Sequence, residues 1–180
     1  MFFESGDQIP TERFIQTRIE AEIAFCMKGP LAGEVTREEV LQATDYVFPS
    51  LEILDTRIFR KDENTGKMRT VFDTISDNAA NAGVISGVQK NDPQKFDLRR
   101  VGSIVMRNNE VEETGLGAGV LNDPITGIIW LVKRLSEYNQ KISPGEIILS
   151  GSFIRPIEAR KGDEFYADFG DFGFVECKFN

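Results

Sequence analysis

The chain has 180 residues, 41% hydrophobic side chains and a formal net charge of −8. This length and hydrophobic content favour one globular domain over residues 1–180, and the negative charge argues against a surface for nucleic acid or an anionic membrane. Because the chain contains no histidine, Ser-His and Cys-His triads and the usual zinc and iron ligands are excluded, and any chemistry depends on carboxylates, lysines, tyrosines or a hard metal.

Signals for export or membrane insertion are absent from the sequence. No apolar run reaches the length of a bilayer span, and the N-terminal sequence MFFESGDQIP lacks the basic-then-apolar order of a signal peptide. We therefore expect a cytoplasmic protein. The two cysteines, Cys26 and Cys177, are too few and too far apart to indicate a disulfide framework or a zinc site, and both are predicted to be buried thiols.

The first half of the chain predicts a strand, a helix and a second strand. The segment Arg18–Met27 has the composition of a strand. Thr36, with a glutamate three residues later, forms a capping box and begins a helix that we expect to end near Tyr46. The apolar segment Val47–Phe59 predicts the second strand, with Pro49 before it or at a sheet edge. A charged loop follows.

The second half predicts a hairpin, a helix and further strands. The segment Ser103–Thr114 alternates as a hairpin that turns at Asn108 and Asn109. Asp123 and Pro124 supply the start of a helix whose apolar residues then recur at helical spacing. The C-terminal strand segments are GEIILSGSF, DEFYADFG and FGFVECKF, the last two joined by a glycine-rich turn around Asp171. Many strands and two clear helices indicate an α+β domain built on a mixed or rolled sheet.

The stretch RIEAEIAF places two like charges inside a predicted strand. Residues two apart share one face of a strand, so Glu20 and Glu22 point the same way, roughly 6–7 Å apart along the chain. An ordinary strand with one solvated face would explain this pattern. Ala24 and Cys26 continue the same face, however, and small apolar residues favour the floor of a cleft over open solvent.

A third acidic residue, Glu52, lies between apolar residues of the second predicted strand, where an unpaired buried charge would be unfavourable by several kcal/mol. A divalent cation shared with Glu20 and Glu22 would relieve all three charges. Carboxylate oxygens without histidine or thiolate suit Mg²⁺ or Mn²⁺, which leave coordination positions for water or substrate oxygens. The spacing makes such a metal site plausible.

Five segments, in this order, resemble the fumarylacetoacetase-like superfamily: RIEAEIAF, LEILDTR, FDTISDNAANAG, GSFIRP and ARKGDEFYADFG. The resemblance runs from Phe2 almost to Asn180, and FDTISDNAANAG is its most specific part. Within the superfamily, the chain is most similar to the 2-oxo-hept-4-ene-1,7-dioate hydratases of aromatic catabolism. The resemblance implies a rolled β fold of the fumarylacetoacetase C-terminal type and a homo-oligomer assembled from dimers.

The resemblance also implies a site and a reaction. Carried over by motif, Glu20, Glu22 and Glu52 hold Mg²⁺ or Mn²⁺, and the enzyme adds water to an unsaturated 2-oxo dicarboxylate to give a 4-hydroxy-2-oxo acid. A decarboxylase, a 2-hydroxypentadienoate hydratase or an acylpyruvate-type hydrolase of the same superfamily would use the same metal. Measurement of CO₂ release against hydration separates the first of these from the hydratase.

Members of the superfamily carry an N-terminal segment ahead of the region that this chain resembles. That segment contributes an active-site lysine and an acidic residue, and neither has a counterpart here. The alternative to an enzyme is therefore a short, inactive subunit or binding module that keeps the 2-oxo acid site or only the assembly surface. Turnover by the purified chain alone would exclude it.

Further polar residues near the quoted motifs are candidates for substrate binding. Ser152 could donate a hydrogen bond to a substrate carboxylate, and Ser76, Asp77 and Asn78 offer polar groups beside small residues. Simple turn chemistry explains these residues as well. Asp73 could act as an acid or base, or as a hydrogen-bond acceptor near the metal, and a structural carboxylate is an equal alternative.

Two other patterns carry less information. Arg57 and Arg155 could pair with the far carboxylate of a dicarboxylic substrate, although single arginines are usually surface or salt-bridge residues. Gly115, Gly117 and Gly119 lack the spacing of a dinucleotide fingerprint, and no Lys-Ser or Lys-Thr follows them. We therefore predict that these glycines let strands bend or approach closely, rather than bind a nucleotide.

Overall fold

In the computed structural model, which describes residues 1–180, the strands form two sheets around one apolar core, and three α-helices flank them. The strands are β1 Phe2–Glu4, β2 Gln8–Ile9, β3 Arg18–Met27, β4 Thr44–Leu54, β5 Asn81–Ser86, β6 Gly102–Arg107, β7 Glu110–Leu116, β8 Ile147–Leu149, β9 Ile157–Glu158, β10 Glu164–Asp168 and β11 Phe174–Phe179. The helices are α1 Arg37–Ala43, α2 Val71–Ser76 and α3 Pro124–Ser136.

The two sheets have mixed pairing. The first has the order β1-β5-β4-β3-β8, with β9 also paired to β3, and the second has the order β2-β11-β10-β6-β7. The pairs β1/β5 and β2/β11 are parallel, whereas the others are antiparallel. This arrangement confirms the predicted α+β class with a mixed sheet and few helices.

The antiparallel pair β3/β4 forms the centre of the first sheet. The predicted strand Arg18–Met27 is confirmed at both ends. Ile19, Ala21, Ile23 and Phe25 point into the core and are fully buried. Because side chains alternate along a strand, the opposite face of β3 carries Glu20 and Glu22. The register in which Arg18 pairs with Leu54 brings Glu52 of β4 beside these two residues.

The boundaries between α1 and β4 differ from the prediction. The capping box at Thr36 is present, but α1 ends at Ala43 rather than near Tyr46, and β4 covers Thr44–Leu54 rather than residues 47–59. Pro49 lies inside β4, opposite Ile23, and not at the strand's start or at a sheet edge. Proline has no N–H to donate, and it is tolerated there because the ladder between β4 and β5 begins only at Ser50. On that side Pro49 contributes only its carbonyl oxygen, which accepts a hydrogen bond from the Gly87 N–H.

The predicted elements of the second half are confirmed. The β6/β7 hairpin turns at Asn108 and Asn109, whose φ angles of 54° and 66° are typical of a tight hairpin turn. The side chain of Asp123 caps α3 by accepting a hydrogen bond from the Ile125 N–H. The last two predicted segments pair as β10 and β11.

Helix α2 and strand β5 were not predicted. The helix begins with a second capping box, in which the side chains of Thr70 and Asp73 bond to each other's backbone N–H. Its apolar residues Val71, Phe72 and Ile75 are exposed, so the segment lacks the buried stripe that marks most helices. Without that periodicity, the capping pattern was the available sequence signal.

The glycines of ETGLGAGV lie where the chain passes close to other backbone atoms. A Cβ atom on Gly115 would lie 2.1 Å from the Phe153 carbonyl oxygen, and one on Gly117 would lie 2.1 Å from that of Leu98. The predicted role in close approach is therefore confirmed. None of the helices combines the length and apolar character that a bilayer span requires.

Both cysteines are free, but only one is buried. Cys177 is buried in the core, and burial first, then the charge of Glu176, raises the pKa of its thiol to about 12. The prediction for Cys26 was wrong, because this residue is partly exposed. It lies on the carboxylate-bearing face of β3, which is less covered than the core face.

Candidate metal centre

Three glutamates converge on one face of the first sheet. Glu20 on β3 lies directly opposite Glu52 on β4, and Glu22 lies one step along the same face, opposite Ser50. One carboxylate oxygen from each of the three residues lies within 4.8 Å of the other two. The strand period and the β3/β4 register, rather than a loop, therefore assemble the cluster.

Burial and mutual repulsion shift the protonation of this cluster. Glu22 is 2% exposed, and Glu20 and Glu52 are partly buried. Burial, followed by the charge of Glu52, raises the pKa of Glu20 to about 7. The same two causes raise the pKa of Glu22 well above its ordinary value, against the opposing effect of a backbone hydrogen bond from Gly151. The charge of Arg18 opposes the shift of Glu20 only in part, so the chain does not fully compensate the charges of Glu20 and Glu22.

Two hydrogen bonds hold the carboxylates in place. The Asn81 side-chain amide donates to Glu52 Oε1 at 2.6 Å, and the Gly151 N–H donates to Glu22 Oε2 at 2.7 Å. Gly151 has a φ angle of 107°, which favours glycine and aims its N–H at Glu22. Neither residue was singled out from the sequence, because both contacts depend on tertiary packing. The one sequence signal was that Asn81 lies inside the motif FDTISDNAANAG.

The cluster fits a hard divalent cation. None of the ion pairs in the structure includes Glu20, Glu22 or Glu52, so no lysine or arginine neutralises them at contact distance. The donor set consists of oxygens alone, which suits Mg²⁺ or Mn²⁺.

The predicted acid or base, Asp73, lies on α2 and is engaged in the capping box. Its carboxylate accepts hydrogen bonds from the Thr70 N–H and hydroxyl, and these bonds lower its pKa. Ser76, at the end of the same helix, is exposed. This placement corresponds to the structural alternative for Asp73, and a catalytic role for Asp73 stays a prediction.

Asp77 and Asn78 follow α2 and have different environments. Asp77 is buried and forms an ion pair with Arg57. The hydrogen bond from the Arg57 guanidinium lowers the pKa of Asp77, and burial, which would raise it, opposes this effect only in part. Asn78 is exposed and begins a run of left-handed residues, Asn78–Ala80, with φ angles of 52°, 52° and 66°. This strained run precedes Asn81, whose side chain reaches Glu52 of the glutamate cluster.

Ser152 lies next to Gly151 and thus beside the glutamate cluster. Its hydroxyl donates to the Ile154 carbonyl at 3.0 Å and accepts from the Ile154 N–H. Arg155 forms an ion pair with Glu113. Arg155 and Arg57 are therefore both salt-bridge residues, and substrate binding by Ser76, Asp77, Asn78 and Ser152 stays a prediction.

Comparison with known proteins identified enzymes of one group. The chain is 51% identical to 2-oxo-hept-4-ene-1,7-dioate hydratase of Escherichia coli over 180 residues, which cover 99% of this chain and 67% of that protein. It is 35% identical to 2-keto-4-pentenoate hydratase of Paraburkholderia xenovorans, again over 99% of this chain and 65% of the relative. The chain thus spans about two thirds of the length of these curated relatives. No protein-family model matches it.

Solved structures share the fold. The structure of 4-oxalocrotonate decarboxylase from Pseudomonas putida G7, complexed with magnesium and adipate, superposes with a TM-score of 0.90 at 29% identity, and this chain covers 66% of it. A fumarylacetoacetate hydrolase family protein from Yersinia pestis gives a TM-score of 0.67 at 14% identity and supports the fold alone.

Proposed function

The chain belongs to the fumarylacetoacetase-like superfamily of enzymes, and from this premise we propose that it is a hydratase that uses a divalent cation. The proposed reaction adds water to an unsaturated 2-oxo dicarboxylate, such as 2-oxohept-4-ene-1,7-dioate, and gives a 4-hydroxy-2-oxo acid in the breakdown of aromatic compounds. The observation that carries the proposal is the convergence of Glu20, Glu22 and Glu52 in a chain 51% identical to such a hydratase.

The cation of this proposal is Mg²⁺ or Mn²⁺, held by the three glutamates. The decarboxylase neighbour was solved with magnesium, and a second structure of that enzyme contains calcium, which supports a divalent cation in this fold. Bound there, such a cation supplies Lewis acidity to the keto oxygen of a chelating 2-oxo acid.

The chain's own residues have separate tasks in this scheme. Glu20, Glu22 and Glu52 provide the negative charge that retains the cation and leave coordination positions for substrate oxygens. Asn81 and the Gly151 N–H fix the orientation of two of these carboxylates, which lowers the reorganisation needed on binding. The same β3 face continues in the small side chains of Ala24 and Cys26. Ser152, next to Gly151, is the proposed hydroxyl donor for the substrate carboxylate.

The test is turnover by the purified 180-residue chain. With Mg²⁺ or Mn²⁺ added, we expect 2-oxohept-4-ene-1,7-dioate to gain the mass of one water molecule, and we expect chelation of the metal or the substitution Glu22→Gln to stop the reaction. An active chain excludes the inactive-subunit alternative. Binding of the cation without hydration would contradict the proposed activity while leaving the metal centre in place.

A decarboxylase is the second candidate, because the high TM-score of 0.90 to 4-oxalocrotonate decarboxylase concerns an enzyme of that activity. The same incubation distinguishes the two, since a decarboxylase releases CO₂ and loses mass from the substrate. The greater identity to the hydratase, 51% against 29%, favours hydration.

Assembly of the protein into a homo-oligomer and its presence in the cytoplasm are part of the same proposal. Three apolar side chains of α2 are exposed, which is consistent with contacts to further protein surface. Light scattering of the purified chain measures the number of subunits directly.

A further inference from the structure

The structure contains a group of three arginines that form no ion pair. Arg18, Arg60 and Arg69 are all partly buried, and none of them takes part in an ion pair. This is unexpected in a chain with a formal net charge of −8, because acidic side chains are abundant. Unpaired guanidinium groups gathered in one place favour an anionic ligand.

The arginines lie beside the glutamate cluster. Arg18 precedes Glu20 by two residues on β3, so its side chain leaves the same face of the sheet, roughly 6–7 Å away along the strand. Arg60 and Arg69 lie on the segment that follows β4, where the Arg69 N–H donates to the Arg60 carbonyl oxygen at 2.9 Å. The Arg69 side chain donates to the hydroxyl of buried Thr56 at 3.1 Å, which fixes its direction.

Arg18 and Arg60 line one cavity of about 390 Å³. Two other charged residues line it, Arg160 and Glu158, which pair with each other and are exposed. The cavity therefore keeps a positive balance. The mutual influence of the arginines is also visible in their protonation, since burial first, then the charges of Arg18 and Arg69, lower the pKa of Arg60, with Glu158 opposing.

We propose that Arg18 and Arg60, supported by Arg69, bind the distal carboxylate of the substrate and so select a 2-oxo dicarboxylate over a 2-oxo monocarboxylate. This inference rests on the proposed function and names the specificity-determining residues of that site. The arginines considered from the sequence, Arg57 and Arg155, form ion pairs with Asp77 and Glu113. Arg18 and Arg60 form no ion pair, and Glu20 and Glu158 are the carboxylates that feel the charge of Arg18.

The dimensions agree with this assignment. An extended seven-carbon chain places its terminal carboxylates about 7–8 Å apart, given C–C bonds of about 1.5 Å. A substrate chelated at the glutamate cluster by its 2-oxo acid end can therefore extend along the β3 face and place its far carboxylate near Arg18. A five-carbon 2-oxo monocarboxylate has no charge to offer at that position.

The experiment compares two unreactive ligands, 2-oxoheptanedioate and 2-oxopentanoate, by calorimetric titration into the Mg²⁺-loaded chain. We expect the dicarboxylate to bind more tightly, and we expect Arg60→Met or Arg18→Met to lower its affinity by about 10- to 100-fold relative to that of 2-oxopentanoate. The relative affinity is the readout because the charge of Arg18 also acts on Glu20 and so on the metal that both ligands chelate. Arg60→Lys should retain part of the preference, because it keeps the charge but loses the bidentate geometry.

The matched control is Arg100→Met, which removes the same charge from an exposed arginine outside any ion pair, on a different part of the surface. It should bind both ligands like the unmodified chain. Equal weakening of both ligands in Arg60→Met and Arg18→Met, an unaltered preference in both, or the same loss in Arg100→Met would overturn the proposal. Absence of hydration would refute the proposed activity without affecting this comparison, since the ligands are not turned over.

Discussion

The glutamate cluster and the arginine cluster lie side by side, yet the chain builds them in different ways. The three glutamates lie on two paired strands, so the alternation of β3 and β4 and one register fix their positions. Of the arginine cluster Arg18, Arg60 and Arg69, the first lies on β3, whereas the other two lie on the segment after β4, whose path depends on buried side chains. Asp55 accepts hydrogen bonds from the Ile15 and Gln16 N–H groups, and Asp77 holds Arg57. Strand-borne groups are thus rigid by local pairing, and loop-borne groups are rigid only through tertiary bonds.

The largest effect is expected where a strand-borne ligand is removed. Glu22→Gln keeps an acceptor for the Gly151 N–H but removes the charge of a proposed ligand. We expect Mn²⁺ affinity to fall by at least about 100-fold, because loss of a residue that only hydrogen-bonds to a ligand already costs about 10- to 100-fold. The cation-free chain should become more stable at neutral pH, because one repelling charge is lost. Titration calorimetry and thermal unfolding measure the two effects. Glu110→Gln, on an exposed strand position, is the control, and equal affinities in the two variants would contradict the metal centre.

The pH dependence of the cluster should oppose that of ordinary paired carboxylates. The folded-state pKa of Glu20 is raised from 4.5 to about 7, so the folded chain binds more protons than the unfolded chain within this window. The free energy of unfolding of the cation-free chain should therefore fall as the pH rises from 4.5 to about 7, and the raised pKa of Glu22 acts in the same direction. Since protons compete for the same carboxylates, Mn²⁺ affinity should increase over that range. Unfolding and titration series at several pH values test both slopes, and a stability that rises with pH would contradict the assignment.

A smaller effect is expected from the residue that links the two kinds of structure. Asn81 begins β5 and donates to Glu52, but the left-handed run before it sets its position. Asn81→Ala should lower Mn²⁺ affinity by about 10- to 100-fold, and activity should return at saturating metal because the ligands themselves remain. Asn64→Ala, in an exposed part of the charged loop, serves as the control. Activity that stays low at saturating metal would assign Asn81 a role in the reaction instead.

This contrast also explains how much could be predicted from the sequence. Alternation in RIEAEIAF predicted the shared face of Glu20 and Glu22, and the apolar setting of Glu52 predicted a third ligand, because both signals are local. The register that places Glu52 opposite Glu20 depends on pairing between strands and was not predicted; the resemblance to a family implied only that the three glutamates share a metal. Asn81, Gly151 and the free arginines were missed, since their roles arise from contacts between distant segments.

The smallest effect is expected at Asp73, and it tests whether a carboxylate on a short helix outside the sheets has any chemical role. If Asp73 only caps α2, Asp73→Asn and Thr70→Ala should have similar effects. Thr70→Ala removes an N-cap that contributes about 1 kcal/mol to helix stability. Both variants should then be less stable but retain kcat and Mn²⁺ affinity. Thermal unfolding and steady-state kinetics on both variants supply the comparison. A fall in kcat of about 100-fold in Asp73→Asn alone, with the fold intact, would show that this carboxylate moves a proton. In that case a group held by one short exposed helix would work beside strand-borne ligands, and the substrate or a partner surface would have to fix it in place.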